Sequence, residues 1–364
     1  MTLKKSYGMP IMVTVLMIII QQEPIASMGY AKTLRLDLKK IAEVAKNEEL
    51  FFSINSVCED DEGNFYVLDS KKYQVQKFSA EGKKLLTFGT RGEGPDGFRT
   101  PARMFFSGET GLVVTEMMND ATIFSKLGKV VKKINFAKTL GFIFNIGYIG
   151  GNLFYAEKQG EKEVRTQIIM NNEGKILKSD LFSCSGWDIA MEDGTQYSLS
   201  YKELTPQLIF NAYKSHAVVG KSDCYQLKII DSKGQIINKI GRDVKRSPLT
   251  SKEHDYFREE INNVKGWNNL VKKAFKKLIP SEKMYYEKLM ITSKYVFVFR
   301  IKRDTTDEKS PYLVDVFAIN GKFLGEVSMS KLPLLVSDTF IYFKVDDDDD
   351  ALIYLEKCSY KLTL

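Results

Sequence analysis

The sequence has few of the residues on which common catalytic sites depend. Its 364 residues include only two histidines, His216 and His254. A histidine-rich zinc site, or a histidine-activated serine or cysteine nucleophile, would have to use one of these two. The G-x-S-x-G elbow of many serine hydrolases is also absent. These absences disfavour the common zinc-dependent and nucleophile-dependent hydrolases.

Cysteine is scarce as well. The four cysteines lie far apart and form no C-x-x-C pair; they are Cys58, Cys184, Cys224 and Cys358. Four cysteines allow three pairings, and the sequence does not choose among them. Cys184 and Cys224 are closest along the chain, and burial of all four as small apolar residues is the alternative.

Long hydrophobic runs are missing except near the N-terminus. Lys4 and Lys5 precede the apolar run IMVTVLMIII, residues 11–20, which is followed by polar and small residues. This order is typical of a secretory signal peptide, whereas a membrane span needs about 20 apolar residues. We predict a signal peptide over residues 1–30, with an uncleaved N-terminal anchor as the alternative. The mature chain is expected to be secreted or periplasmic, without a transmembrane span.

Charge of one sign is not concentrated along the chain. There are 53 basic and 46 acidic residues, for a net charge of +7. Nucleic-acid binding favours a concentrated basic stripe, so we expect no nucleic-acid partner. The hydrophobic content of 44% and the aromatic content of 12% are those of a folded protein with a substantial core.

The sequence is rich in glycine-turned strand pairs. Apolar residues, a polar residue, two variable residues, glycine and further apolar residues recur around five positions: Gly82, Gly128, Gly174, Gly234 and Gly321. The first two intervals are 46 residues, and the next two are 60 and 87, which indicates insertions. Glycine supplies the positive φ of a tight turn, so each copy predicts a β-hairpin.

Another strand pair precedes each hairpin, most clearly in SINSVCEDDEGNFYVLDSKKYQVQKF, residues 53–78. Four strands in about 46 residues is the size of a propeller blade. A sixth unit supplies three strands before the chain ends, and KTLRLDLKKI, residues 32–41, can complete it as the outermost strand. The pattern predicts an all-β fold over residues 31–364: a six-bladed β-propeller with a small helical insertion, its ring closed by an N-terminal strand.

Residues 56–98 resemble the NHL-repeat type of six-bladed propeller. The segment GNFYVLDSKKYQVQKFSAEGKKLLTFGTRGEGPDGF is similar to secreted bacterial members with a G-E-G-P turn between blades. Over the rest of the chain the resemblance rests on the hairpin pattern. It implies the fold but no single chemistry, because propellers include binding proteins, scaffolds and enzymes.

The glycine-rich stretch FGTRGEGPDGF, residues 88–98, could cradle a phosphate or link two blades. A P-loop requires Lys and then Ser or Thr after its last glycine, followed by a helix. Here FRTPARMFF follows Gly97 and predicts a turn and a strand. We interpret the stretch as an inter-blade linker, with Arg91 and Glu93 as candidates for ligand contact at a propeller face.

A helical insertion is predicted over residues 250–287. Thr250 and Glu253 have capping-box spacing, and a second helix is predicted over residues 267–278. The residues assigned to its apolar face are Trp267, Leu270, Val271, Ala274 and Leu278, and those on the opposite face are Lys272, Lys273, Lys276 and Lys277. The helix could dock on an anionic surface or on a partner through Trp267 and these lysines, or cap the propeller with its lysines in water.

A metal-dependent enzyme is the alternative that the resemblance raises. Some similar propellers hold a divalent metal in the central channel and hydrolyse lactones or esters, with ligands at the starts of inner strands. The candidates at such positions here are Asn55, Asn145 and Asn211, with Arg103 and Lys288 nearby. Three asparagines without a carboxylate make a poor divalent site.

The run Asp346–Asp350 could bind calcium, but it lacks EF-hand spacing and also fits a solvated turn.

These observations favour a monomeric, extracytoplasmic and non-catalytic binding module for a protein, peptide or glycan, with no cofactor expected. The alternatives are a metal-dependent lactonase-type hydrolase that uses the channel and a structural element of an envelope assembly. The candidates for partner contact are Arg91, Glu93, Arg103, Trp267, Lys272, Lys273, Lys276 and Lys277.

Overall fold

Six antiparallel sheets follow one another along the chain, and their innermost strands form a closed series of contacts. The computed structural model describes residues 34–46, 51–108, 110–160, 164–179, 181–185, 187–191, 194–347 and 352–363. The segment predicted as a signal peptide lies outside these ranges. Thr33–Leu364 forms one unit.

The first three blades occupy the N-terminal half, after strand β1 (Arg35–Val44). Blade 1 comprises β2 (Ile54–Glu59), β3 (Phe65–Asp69), β4 (Gln74–Phe78) and β5 (Lys84–Phe88), followed by the short parallel pair β6 (Thr90–Arg91) and β7 (Gly97–Phe98). Blade 2 comprises β8 (Pro101–Ser107), β9 (Gly111–Glu116), β10 (Asp120–Phe124) and β11 (Val130–Asn135), followed by α1 (Ala137–Leu140). Blade 3 comprises β12 (Ile143–Gly150), β13 (Leu153–Gln159), β14 (Arg165–Asn171) and β15 (Ile176–Lys178), with β16 (Ser183–Cys184) also paired to β14.

The last three blades follow a separate hairpin, β17 (Trp187–Ala190) and β18 (Gln196–Leu199). Blade 4 comprises β19 (Leu208–Tyr213), β20 (His216–Lys221), β21 (Gln226–Asp231) and β22 (Ile236–Gly241), followed by helices α2 (Ser251–Asn263) and α3 (Asn269–Lys276). Blade 5 comprises β23 (Tyr286–Ile291), β24 (Tyr295–Arg300), β25 (Tyr312–Ala318) and β26 (Phe323–Met329). Blade 6 comprises β27 (Leu335–Val336), β28 (Phe340–Asp347), β29 (Leu352–Thr363) and, as its fourth strand, β1.

The ring is closed as the sequence predicted. The inner strands contact one another in the order β2, β8, β12, β19, β23 and β27, and β27 contacts β2. Strand β1 pairs antiparallel with β29 from Arg35 opposite Thr363 to Val44 opposite Leu355. Blade 6 is therefore built from both ends of the propeller. The chain is a six-bladed β-propeller.

The five repeated glycines form the turn between the third and fourth strands of blades 1 to 5. Their φ angles lie between 72° and 90°, where a residue with a Cβ atom is strained. Each glycine donates its N–H to the carbonyl three residues earlier. The same turn at the same place in each blade explains why the repeat is visible in the sequence.

Apolar side chains pack mainly between neighbouring blades. The ring centroids of Tyr155 and Phe210 lie 4.2 Å apart between blades 3 and 4, and those of Phe65 and Tyr342 lie 5.3 Å apart between blades 1 and 6. All four cysteines are free thiols, and three of them are buried. Burial raises the pKa of the Cys58 thiol. The buried cysteines, Cys58, Cys184 and Cys358, act as small core residues.

The insertion differs from its prediction in detail. The capping box of Thr250 and Glu253 is present, but α3 is shorter than predicted and β23 begins at Tyr286, inside the predicted insertion. None of the described helices is long and apolar enough to cross a bilayer.

The apolar face assigned to the second helix was partly wrong. Val271 and Phe275 are the buried residues of α3, whereas Leu270 is 63% exposed and Leu278 is 41% exposed. Leu278 lies beyond the end of α3. The buried face is set by contact with α2 and with the β17–β18 hairpin, which was not predicted.

Candidate functional site

The inner strands enclose a cavity of about 460 Å³. Its lining comes from the first strands of the blades and from the segment that follows the β17–β18 hairpin. The charged and amide side chains in the lining are Asn55, Glu59, Arg103, Asn145, Lys202, Gln207, Asn211, Lys214, Glu287 and Lys288. A cavity of this size is in the range that holds small-molecule ligands.

Irregular pairing near the starts of four inner strands helps to aim side chains at the cavity. The register shifts between Ile54 and Ser56, between Pro101 and Arg103, between Phe144 and Gly147, and between Tyr286 and Lys288. A bulge of this kind bends the strand and redirects the neighbouring side chains. Asn145, within one of these irregularities, has a φ of 47°, which asparagine tolerates better than most residues.

The structure brings together the three asparagines proposed as metal ligands, and each holds part of the framework. The contacts run from the Ser53 and Ser70 hydroxyls to Asn55 Oδ1 (2.8 and 2.5 Å), from Asn145 Nδ2 to Glu157 Oε1 (2.9 Å) and from the Ile291 N–H to Asn211 Oδ1 (3.0 Å). The asparagine side chains thus fix the positions of the strands around the cavity.

Arg103 and Lys288 are the cavity cations without an ion-pair partner among the described residues. Lys288 donates one hydrogen bond to the Pro333 carbonyl. Its burial, together with the positive charge of Arg103, lowers the pKa of Lys288 to about 8. Arg103 makes no hydrogen bond or ion pair within the described part of the chain. Burial raises the pKa of the nearby Glu157, and the positive charge of Arg103 partly opposes this rise.

The other charged groups around the cavity have partners. Lys202 forms an ion pair with Glu287, and Lys214 lies 3.1 Å from Asp338. Glu59 accepts a hydrogen bond from the Tyr342 hydroxyl, and burial raises the pKa of Glu59.

Glu157, behind the lining, is also partnered. It accepts hydrogen bonds from Asn145 and Tyr155 and lies 3.4 Å from Arg165. The cavity therefore carries an excess of positive charge, located at Arg103 and Lys288.

Two buried carboxylates hold the segments that lead into the inner strands β2 and β8. The sequence analysis did not predict them. Asp69 accepts the Phe52 N–H at 2.6 Å, and Glu116 accepts the Arg99 and Thr100 N–H groups at 2.8 and 2.7 Å. With Glu157, these residues lie at or near the ends of the second strands of their blades. The endings FYVLD, LVVTE and LFYAE show the recurring acid in the sequence.

The glycine-rich loop links β5 to β8 and lies outside the cavity lining. Gly92 N–H donates to the Phe98 carbonyl at 3.0 Å, and the Phe98 side chain is fully buried. Arg91 lies 5.4 Å from the Tyr73 ring, and Glu93 is 3.4 Å from Arg99. The structure does not bring Arg91 and Glu93 together with the channel residues.

The candidates on the insertion also lie outside the cavity lining. Trp267 stacks on Phe275 with ring centroids 4.5 Å apart, so its ring belongs to the core of the insertion. Lys272 donates to the Asn262 carbonyl at 2.6 Å. Lys276 is half-buried, and Lys273 and Lys277 are exposed. The two exposed lysines are the ones in position to meet a partner.

The remaining metal-site candidates do not form a cluster in the described ranges. Asp346 and Asp347 end β28, and Asp346 lies 2.8 Å from Lys344, while Asp348 to Asp350 lie outside the described residues. Within the described ranges, no three His, Cys, Asp or Glu side chains are grouped so that they could hold a metal ion. His216 lies in β20 and His254 in α2.

Comparison with known proteins supports the architecture. No family model and no curated protein match the chain. A putative exported protein from Bacteroides fragilis is similar in structure, with 9% identity and a TM-score of 0.56 over 93% of this chain and 98% of that one. A member of the DUF4221 family from Bacteroides vulgatus has 13% identity and a TM-score of 0.53 over 92% and 99%. At these identities the similarity shows the propeller fold alone, and the NHL-repeat assignment stays a prediction.

Proposed function

We propose that the chain is a binding module that holds its ligand in the axial cavity and does not convert it. The observation that supports this proposal is a pre-formed polar cavity whose asparagines are hydrogen-bonded to the framework while two cations keep free donors. A site that is ordered before binding loses less conformational entropy when the ligand enters. The volume of about 460 Å³ favours a small ligand or the end of a glycan or peptide chain.

We also propose that the module works outside the cytoplasm. The basic start and the ten-residue apolar run near the N-terminus support export. One structure with the same architecture comes from a protein named as a putative exported protein.

The charge of the cavity favours binding over the metal-dependent alternative. Arg103 and Lys288 line the space in which a channel metal would lie. Their positive charges oppose a divalent cation, and the asparagines bring no negative charge to offset this repulsion.

The proposal is tested by screening small ligands and recovering them. The exported chain, purified from the cells that produce it, is screened by thermal melting against acidic and neutral sugars, oligosaccharides and short peptides. We expect at least one compound to raise the melting temperature in a saturable manner, equally with calcium or with EDTA. Mass spectrometry should recover that compound unchanged.

Conversion of the compound would contradict the proposal. So would a calcium-dependent rise in melting temperature that is lost in Asn145→Ala or Asn211→Ala, because it would indicate a channel metal. A screen in which no compound binds would also count against a binding role in the cavity.

A further inference from the structure

Two cations line the axial cavity, and neither forms an ion pair within the described part of the chain. Arg103 and Lys288 come from the inner strands of blades 2 and 5, and both side chains are half-buried. Holding two like charges in a partly desolvated space costs free energy. A charge arrangement of this kind is characteristic of functional sites. An anion that enters the cavity would reduce the repulsion between the two cations.

The carboxylates that could have neutralised this pair are engaged elsewhere. Glu287 forms an ion pair with Lys202, and Glu59 is bound by the Tyr342 hydroxyl. Glu157 is held by Asn145, Tyr155 and Arg165. The carboxylates of the described lining, Glu59 and Glu287, therefore form no ion pair with Arg103 or Lys288.

The donors that remain suit an oxyanion. An ammonium group has three hydrogen-bond donors, and Lys288 donates one of its hydrogen bonds to the Pro333 carbonyl. Arg103 has five donors in a planar fork, and within the described part of the chain none of them is used. Such a fork binds carboxylate or phosphate through two parallel hydrogen bonds, while the lysine adds a point charge.

We propose that Arg103 and Lys288 together bind the carboxylate or phosphate group of a small ligand inside the axial cavity. This inference rests on the proposed binding function and specifies the chemistry of the ligand. The asparagines around the two cations then serve to hold the strands that carry them.

The test is isothermal titration calorimetry of the full propeller at low ionic strength with three probes. Inorganic phosphate and D-glucuronate distinguish the two sources of the anion, and D-glucose is the neutral control for glucuronate. We expect phosphate, glucuronate or both to bind. Arg103→Gln and Lys288→Gln should each weaken that binding by about tenfold or more, because a charge-assisted hydrogen bond is lost. Lys84→Gln, which removes an exposed charge on the outer strand β5, should leave it unchanged.

Melting curves without ligand separate ligand binding from a structural role. Because each glutamine variant removes one of two repelling charges, its melting temperature should equal or exceed that of the wild type. A clear fall in the unliganded variants would indicate that Arg103 and Lys288 hold the fold together and would overturn the inference.

The binding outcomes also distinguish this inference from the proposed function. If neutral compounds bind in the cavity and neither variant weakens them, the inference fails and the binding function stands. Failure of phosphate and glucuronate to bind the wild type overturns the inference, and the broader ligand screen then decides the proposed function.

Discussion

At the scale of single residues, one buried ion pair connects the insertion to blade 5. Glu253 and Lys283 are fully buried, with 2.6 Å between Oε1 and Nζ. Lys283 also donates to the carbonyls of Lys302 and Arg303, and Glu253 accepts from Thr305. Each remaining donor and acceptor has a partner, which is the condition under which a buried pair is tolerated.

The pair predicts a specific pH dependence of stability. Burial raises the pKa of Glu253, but hydrogen bonds from Lys283, Thr250 and Thr305 outweigh it and hold the pKa at about 2, below its ordinary value of 4.5. Ionised Glu253 therefore stabilises the fold above pH 4.5, and this contribution is lost as the pH falls towards 2. Glu253→Gln should lower the free energy of unfolding by about 3 kcal/mol at pH 7, because Lys283 is left buried without its partner.

Chemical denaturation at a series of pH values measures this effect. The difference between wild type and Glu253→Gln should shrink below pH 4.5. Glu259→Gln, an exposed change on the same helix, should stay within about 0.5 kcal/mol of wild type. A difference between wild type and Glu253→Gln that does not vary with pH would contradict the assignment.

At the scale of elements, the unequal repeat intervals reflect two insertions that form one substructure. The hairpin β17–β18 precedes blade 4, and the helices α2 and α3 precede blade 5. Ile261, Val271 and Phe275 are fully buried and pack against residues of the hairpin. Lys202, which follows the hairpin, reaches the cavity lining, so this substructure adjoins the proposed ligand site.

Removing a core side chain should loosen the insertion without opening the ring. Phe275→Ala deletes a fully buried ring stacked on Trp267 and should destabilise this substructure by about 3 to 5 kcal/mol. Amide hydrogen exchange should increase in α2, α3 and the hairpin, while the middle strands of the blades stay protected.

The matched control is Leu270→Ala on the same helix. Leu270 is 63% exposed, so its truncation should change stability by less than about 0.5 kcal/mol. Equal exchange rates in Phe275→Ala and Leu270→Ala would show that the cluster does not hold the insertion.

At the scale of the whole molecule, the ring depends on one pairing between distant parts of the chain. Each of blades 1 to 5 is continuous in sequence, whereas blade 6 combines β27 to β29 with β1. Strand β1 covers the edge of β29 that the last blade would otherwise expose. Separation of β1 from β29 would break blade 6 while leaving each of blades 1 to 5 intact.

A disulfide between β1 and β29 tests how much their pairing contributes to the stability of the fold. Leu36 and Leu362 face each other in register and are both partly buried. Facing residues in antiparallel strands have Cα atoms about 4.5 to 5.5 Å apart, which suits a disulfide. The oxidised Leu36→Cys/Leu362→Cys variant should be more stable than its reduced form by about 2 to 4 kcal/mol, because the bond restricts the unfolded chain.

Thermal and chemical unfolding of the oxidised and reduced forms measure the gain. Peptide mapping must first verify the bond, because the chain has four native thiols. Identical stability of the oxidised and reduced forms would show that unfolding does not depend on the separation of β1 from β29.

The sequence by itself determined the propeller fold, because the patterns that predict this fold involve residues close together in the chain. A glycine at positive φ between two apolar strands fixes a turn regardless of distant residues, and five such turns gave the number of complete blades. The apolar segment before Ala45 had no hairpin partner of its own, which predicted its place beside the last strand. A capping box of two nearby residues likewise predicted where α2 begins.

Tertiary structure alone decided which side chains meet. Arg103 and Lys288 are far apart in sequence and share a cavity because the ring places β8 and β23 around one axis and irregular pairing redirects their side chains. The buried face of α3 depended on a hairpin about 70 residues upstream, so helical spacing alone misplaced Leu270 and overlooked Phe275. Backbone turns are set by neighbours in the chain, whereas charge and packing at a site are set by neighbours in space.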